Sequence, residues 1–261
     1  MVLQVRVRLF AVQRELAGTR EVALELADGA TVADAWDGLV ALHANLAPGR
    51  ASVRFAQNGR YADPTTVLAD GDEVAMIPPV SGGSGHGPDK AGQPHAMRIL
   101  EVRSSPFGAA ILAELTDRLA TAEDGAAVGF LGRTRVSPGT PAPGQEAEAA
   151  RHAGRAVQSL EYEAHESMAV AVLGDIADEI QARFGVERLA IVHRTGGVPL
   201  GDVSIAVVAV AAHRGAAFEA ARYAIDETKA RAPIWKAERF ADGHLWIGHQ
   251  ARVGPEEGSS G

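Results

Sequence analysis

Apolar and polar residues alternate at the start of the chain, with Leu3, Val5, Val7 and Leu9 set against Gln4, Arg6 and Arg8. A period of two puts one face of a strand in a core and the other in water, so this stretch predicts a half-buried strand. Val22, Leu24 and Leu26 repeat the pattern, which predicts a hairpin over residues 2 to 27 turning around Ala17-Gly18. The period then lengthens. Thr31 is a candidate N-cap for a helix that carries Val32, Ala35, Trp36, Leu39, Val40 and Leu42 on one face and is stopped by Pro48-Gly49. Val53 to Ala56, turns at Asn58-Gly59 and Asp70-Gly71-Asp72, and Val74 to Ile77 complete a β-β-α-β-β order.

That order is the plan of a small β-grasp, ubiquitin-like domain. Its last strand runs into Pro78-Pro79-Val80-Ser81-Gly82-Gly83. Residues without side chains thread narrow channels, and a Gly-Gly end is how such a carrier presents its terminal carboxyl group to an enzyme. Here the Gly83 carboxyl is still bound in a peptide to Ser84. Residues 84–96 have almost no apolar content and no periodicity, which predicts a flexible linker between a domain at 1–83 and a second at 97–261.

In the second domain, strands are predicted at Arg98 to Arg103, Ala126 to Leu131, Ser159 to Ala164, Leu189 to His193, Val203 to Ala211, Ile234 to Phe240 and Leu245 to His249. Leu189 to His193 and Val203 to Ala211 read as central. Helices follow from the stripes Ile111, Leu112, Leu115, Leu119 and Ala169, Val172, Leu173, Ile176, Ile180, Phe184, and from the span Arg214 to Arg231. The stretch from Val136 to Arg155 is rich in Gly, Pro, Ala and Glu and is expected to be mobile. The fold class expected is α+β, with a mainly antiparallel sheet in the second domain.

Composition narrows the chemistry. The 261 residues are 46% hydrophobic and 22% charged, ordinary globular material for one large or two modest domains. No run approaches the roughly 18 apolar residues of a membrane span, and the first residues lack a signal-peptide layout, so a cytoplasmic protein is expected. The chain has no cysteine, which removes disulfides, thiolate metal sites and cysteine nucleophiles together, and no metal site is expected. Any sulfur chemistry would need sulfur carried on something other than a side-chain thiol. A net charge of -8 argues against nucleic acid and anionic membranes as partners.

Of 25 basic side chains only Lys90, Lys229 and Lys236 are lysines. Where charge alone suffices this chain uses Arg, so an amine retained twice around Pro233 suggests proton chemistry that a guanidinium cannot do. Pro233 removes an amide donor and pushes Ala232 out of helical geometry, a break that can bring both amines toward one pocket, with Trp235 and Phe240 expected as its apolar walls. Solvated surface lysines are the plainer alternative. His213 and Arg214 open a helix, where free amides and a cation together favour a bound anion, a phosphate for instance.

The run Ala212-His213-Arg214, Ala217-Phe218-Glu219-Ala220, Tyr223-Ala224-Ile225-Asp226 and Lys229-Ala230-Arg231-Ala232-Pro233-Ile234-Trp235-Lys236-Ala237-Glu238 resembles the large subunit of molybdopterin synthase. Phe130 to Arg135, Leu160-Glu161-Tyr162-Glu163 and Ile191-Val192-His193-Arg194 support it, and residues 1–83 resemble the small, sulfur-carrier subunit of the same enzyme. The resemblance implies a hammerhead-type α/β fold for the second domain. It implies a reaction in which a thiocarboxylate on the carrier's last glycine, Gly83, delivers sulfur in two rounds to cyclic pyranopterin monophosphate, forming the dithiolene of molybdopterin. By the family pattern Lys229 and Lys236 are the catalytic and substrate-contacting amines, and Arg135, His213 and Arg214 hold the anionic pterin. No permanently bound cofactor is implied. The stretch at 136–155 is longer than the family's.

The fusion is the main departure. A glycine amide cannot be adenylated and sulfurated as a terminal carboxylate can, so the resemblance implies a processing protease acting after Gly83, a carrier-activating adenylyltransferase and a sulfur donor as partners. It also implies a homodimer of the second domain with a carrier docked at each end, for which the apolar strand Val203 to Ala211 suggests sheet-mediated pairing. The thirteen residues 84–96 span at most about 45 Å, so Gly82-Gly83 is expected near the lysine pocket only within that reach of Met97. Two other readings stay open at this point: a non-catalytic assembly or regulatory protein with the β-grasp domain as a permanent docking module, and a general binder of phosphate ligands built on Arg135 and Arg214.

Overall fold

The computed structural model describes residues 2–78, 97–139, 141 and 146–247. The chain divides into two compact units, Met1–Pro79 and Val80–Gly261. Gly82, Gly83, the stretch 84–96 and the end of the last expected strand at His249 lie outside the described residues.

The first unit is a five-stranded sheet with one long helix. Its elements are β1 (Val2–Leu9), α1 (Ala11–Ala17), β2 (Glu21–Ala27), α2 (Val32–Leu42), β3 (Arg54–Gln57), β4 (Arg60–Ala62) and β5 (Glu73–Ile77), with a 3-10 turn at Ala44–Ala51. The sheet order is β2-β1-β5-β3-β4, with β1 and β5 parallel and the other pairs antiparallel. The alternation seen in sequence is the burial pattern: Leu3, Val5, Val7 and Leu9 pack with Val32, Ala35, Trp36 and Leu39 of α2 in one core. Thr31 caps α2 as expected, in a capping box with Asp34. Each side chain accepts from the other's backbone amide, which satisfies two donors at the helix start.

Three local expectations are corrected in this unit. Residues 11–17 form a helix inside the expected hairpin, closed by Gly18 in the left-handed region at φ 70°. It is seven residues long, starts at Phe10 without a side-chain cap, and enters through Ala11 at φ 48°, so no start signal marks it. The long helix stops at Leu42, and Pro48 lies in the 3-10 turn that follows. Asn58-Gly59 does turn the chain, but into a further short strand, β4.

The second unit contains β6 (Arg98–Arg103), α3 (Ile111–Leu119), β7 (Ala126–Arg133), α4 (Glu146–Arg151), β8 (Ser159–Ala164), α5 (Glu166–Phe184), β9 (Arg188–Arg194), β10 (Gly196–Pro199), β11 (Val203–Ala211), α6 (Arg214–Arg231), β12 (Ile234–Phe240) and β13 (Gly243–Ile247). One sheet runs β6-β9-β11-β7 and the other β10-β8-β12-β13. Only β6 and β9 pair in parallel, so the mainly antiparallel expectation holds. Ala206, Val208 and Val210 of β11 pack with Ile111, Leu115 and Leu119 of α3 on one face of the first sheet. On the other face Arg98 reaches Asp178 and Gln181 of α5, beside α6.

All nine residues of β11 are buried, and each such Val or Ile contributes about 1.5–3 kcal/mol relative to exposure. A strand buried on both faces reads as a continuous apolar run. It is also hydrogen-bonded on both edges, to β7 and to β9. Val203 to Ala211 therefore offers no free edge, and the sheet-mediated pairing expected of it is corrected. Strand β10, four residues with two glycines, carries too little pattern to be seen in sequence.

The stretch after β7 is also corrected. Where mobility was expected, the described residues include α4 and His152, which is 4% exposed and stacks on Phe240 at 4.3 Å between ring centroids. Glu148 and Asp242 flank the imidazole at 3.1 and 3.5 Å. Val157 donates its amide to Val136 at 3.0 Å, closing the excursion on itself. Acidic and alanine-rich composition hid a helix that is held by one buried ring.

Candidate active site

Pro233 shapes the site. It forces Ala232 into extended geometry (φ -65°, ψ 130°), α6 ends, and the chain re-emerges as β12. Lys229 is left on the last turn of the helix and Lys236 at the third residue of the strand. Alternation along β12 then turns Ile234, Lys236 and Glu238 to one side. Across the ladder Lys236 pairs with Tyr162 of β8 and Ile247 of β13, and Glu238 with Leu160. In the first sheet His193, Ile205 and Gly132 stand side by side on β9, β11 and β7. These residues meet around one cleft of about 370 Å³, joined by Arg133, Arg135, Gly139, Ser204, Thr228 and Lys229.

Arg135, Lys229 and Lys236 thus share one cavity, and they are three of the residues singled out from sequence. Trp235 and Phe240 do not line it; Trp235 points to the opposite face of β12 and Phe240 packs on His152. The apolar walls are Leu160, Ile205, Ile234 and Ile247. They still have the expected effect: burial holds the Lys236 ammonium below its usual range, with the charges of Arg135 and Lys229 pushing the same way and Glu238 opposing them. Lys229 sits at the exposed rim, its Nζ 6.0 Å from the centre of the Phe130 ring.

His213 and Arg214 are exposed at the first turn of α6 and are not among the residues lining this cleft. Fifteen residues of helix separate Arg214 from Lys229, roughly 22 Å at 1.5 Å per residue. Within a single chain the two ends of α6 do not reach one ligand of pterin size. No acidic residue occupies that first turn, and His213 makes no side-chain cap. Gly83 lies outside the described residues.

Gly139, Tyr162, His193, Ser204 and Glu238 are among the lining residues to which sequence reasoning gave no role. His193 is buried, and burial lowers its pKa to about 4, helped by the charge of Lys229, so the ring is neutral near pH 7. Its Nδ1 lies 2.7 Å from the Arg194 carbonyl, which assigns the proton to Nδ1 and leaves Nε2 an acceptor. Tyr162 stands edge-on to this ring at 4.9 Å, and burial raises its phenol above the usual range. The signal for Glu238 was available: on a strand, the residue two beyond Lys236 shares its face. The others come from distant strands that only the register brings together.

The helix end that carries Lys229 is tied down from the side. Arg231 donates to both oxygens of Glu179 on α5 at 2.9 and 2.7 Å, and the Tyr223 hydroxyl donates to the same carboxylate at 2.7 Å. Among the described residues no group of three or more His, Cys, Asp or Glu is placed to hold a metal ion, and no helix is long and apolar enough to cross a membrane.

Comparisons with known proteins fall on both units. The MoaE protein family matches residues 105–231, and the ThiS family matches residues 7–83. The molybdopterin synthase catalytic subunit of Oryza sativa subsp. indica is 38% identical over 148 residues, which is 57% of this chain and 69% of that protein. The protein of the same name from Halalkalibacterium halodurans is 42% identical over 97 residues, 37% of this chain and 62% of its own length. The human catalytic subunit is 41% identical over 97 residues, 37% of this chain and 52% of its own.

Proposed function

Because the chain belongs to the molybdopterin synthase catalytic-subunit family and carries a ThiS-family sulfur-carrier domain ahead of that part, it is a transferase of molybdenum cofactor biosynthesis, and we propose that it completes the dithiolene of molybdopterin. The sulfur donor in this reading is a thiocarboxylate on Gly83, and the acceptor is cyclic pyranopterin monophosphate. The observation that carries the proposal is the convergence of Arg135, Lys229 and Lys236 on one cleft of about 370 Å³. Three cations suit a substrate that bears a phosphate and a donor that arrives as an anion. In each round the donor sulfur forms a C–S bond at a side-chain carbon of the pterin as a C–O bond there breaks, the oxygen leaving on phosphate or as water, and a second water then cleaves the acyl C–S bond and returns a carboxylate on Gly83. Lys229, at the rim, serves as the proton-transfer or transient covalent residue; Lys236, deeper, holds the charge of substrate and intermediate. The reaction calls on no resident cofactor and on no protein thiol, in keeping with a chain that has no cysteine.

His213 and Arg214 enter this reading through a second copy. If both contact the pterin, the length of α6 requires them to come from the partner of a homodimer, so that each cleft is completed in trans. The carrier must also be released: activation by an adenylyltransferase and loading by a sulfur donor need a free Gly83 carboxylate, so a cytoplasmic protease cutting after Gly83 belongs to the proposal. A permanent docking module without catalysis gives no account of the cationic cleft.

Two measurements test this. Thiocarboxylated carrier and cyclic pyranopterin monophosphate, supplied to the chain, should yield molybdopterin, and no product above the protein-free rate would sink the assignment. Mass spectrometry of the protein from its own cells should find a fragment ending at Gly83, part of it with one oxygen replaced by sulfur; intact chain alone in cells with active molybdoenzymes would remove the cleavage step.

A further inference from the structure

Glu238 is the one carboxylate among the residues that line the cleft, and it is nearly sealed from water at 2% exposure. Its Oε1 accepts the Gly139 amide at 2.9 Å and lies 3.8 Å from Lys236 Nζ, while Oε2 is buried without a hydrogen-bond partner. A buried carboxyl group with one oxygen unsatisfied costs free energy, and such a cost persists where it is offset by a neighbouring charge or by function. The residue donating the amide is a glycine at a close approach. A Cβ on Gly139 would sit 3.1 Å from Ile247 Cγ2, 3.2 Å from Glu238 Oε1 and 3.5 Å from Lys236 Nζ. The excursion after β7 therefore touches the charged pair with bare backbone.

We propose that Glu238 is a positioning residue for Lys236: clamped by the Gly139 amide, it keeps the buried Lys236 amine protonated and aimed into the cleft. This rests on the cleft being the sulfur-transfer site. The charged and titratable groups that line the cleft with the pair are Arg133 of β7, whose Nε donates to the Gly201 carbonyl, Arg135 from the loop after β7, Lys229 from α6, Tyr162 from β8 and the neutral His193 from β9. Arg135 and Lys229 favour loss of the Lys236 proton, as does burial; Glu238 is the group that opposes them. Burial likewise pushes the Glu238 carboxyl up, against the Gly139 amide and the charges of Lys236 and Arg135. Without the Glu238 charge, Lys236 would spend more time neutral near pH 7 and lose its hold on an anion.

The test uses the full chain. With only three lysines, lysine-selective labelling gives three amine signals, and Lys236 is assigned by its loss in Lys236→Arg. In Glu238→Gln, which keeps shape and an acceptor oxygen for Gly139, the Lys236 titration midpoint should fall by about 1–2 pH units, the usual effect of removing an opposite charge at this distance. The alkaline limb of kcat/KM, measured with thiocarboxylated carrier supplied, should move down in pH by the same amount. Glu238→Asp keeps the charge on a shorter arm and should titrate between the two, which covers a folding failure of the Gln variant. An unchanged Lys236 midpoint in either folded variant overturns the proposal. A shifted midpoint with an unmoved rate profile upholds the coupling and overturns the use of Lys236 in sulfur transfer.

Discussion

At its first turn α6 presents His213, Arg214 and Phe218 to solvent, whereas at its last turns it buries Thr228 and Arg231 and hands Lys229 to the cleft. Both ends carry cations, and both belong to the run that marks the family. The surroundings differ. The far end is clamped by Glu179 and Tyr223 and followed by a proline that turns the chain into β12; the near end is an uncapped helix start. A cation at a helix C-terminus is stabilised by the macrodipole, and one at the N-terminus is opposed by it unless an anion is present. One end is built into a cleft by its own chain, while the other acquires a use only against something brought to it.

The sharpest test replaces Lys229 by Arg, which keeps charge and removes the exchangeable amine. Turnover with thiocarboxylated carrier should fall by about 100-fold to 10,000-fold while the circular dichroism spectrum stays that of the parent; turnover within threefold, in contrast, would leave both ends of α6 as mere surface. The second test links the ends. Arg214→Ala and Lys229→Ala should each be nearly inactive, and co-refolded mixtures should recover roughly a quarter of parental sites if a two-fold dimer completes each cleft in trans. No recovery, with mixed dimers shown by native mass spectrometry, would detach Arg214 from the site.

Stability tests follow. Glu179→Gln breaks the clamp on the end that carries Lys229, and thermal or urea unfolding should show a loss of about 1–3 kcal/mol. Burial pushes the Glu179 carboxyl up, but the hydrogen bonds from Arg231 and Tyr223 outweigh it and hold it below the usual range. Its contribution is therefore complete above the unfolded carboxylate pKa, near 4.3, and is lost as pH falls through the lower folded value; the variant should show a flatter acid limb in unfolding experiments. A variant whose acid limb matches the parent would mean that the clamp is idle. The smallest effect belongs to the other end, where Phe218→Ser should change folding stability by about 0.5 kcal/mol or less; a larger loss in urea unfolding would show that the first turn is packed in the folded monomer.

Much of the architecture was legible because patterning and fold agree. Ser159 to Ala164, Val203 to Ala211, Ile234 to Phe240 and the helix Arg214 to Arg231 have the bounds the sequence suggests. The elements that escaped, α1, β4, α4 and β10, are short and lack start signals or periodicity, so tertiary contacts decide them. Of the cleft, the lysines were legible from their chemistry and Arg135 through the family resemblance. Tyr162, His193 and Ser204 were not, since their nearness to Lys229 depends on the registers of β8, β9 and β11, which local pattern does not encode. Trp235 is absent from the cleft because alternation along β12 sends it to the face opposite Lys236.

The excursion after β7 sets where such a chain can change length over time. It leaves and returns at the bonded pair Val136 and Val157, so to the rest of the fold it is a closed loop with fixed ends. The entropic cost of closing a loop rises only logarithmically with its length, about 0.6 kcal/mol for each doubling. Length can therefore change between Val136 and Val157 at little entropic cost, but only where the excursion touches nothing; the tight approach of Gly139 to Ile247, Glu238 and Lys236 and the burial of His152 against Phe240 fix the two places where it is pinned to the sheet.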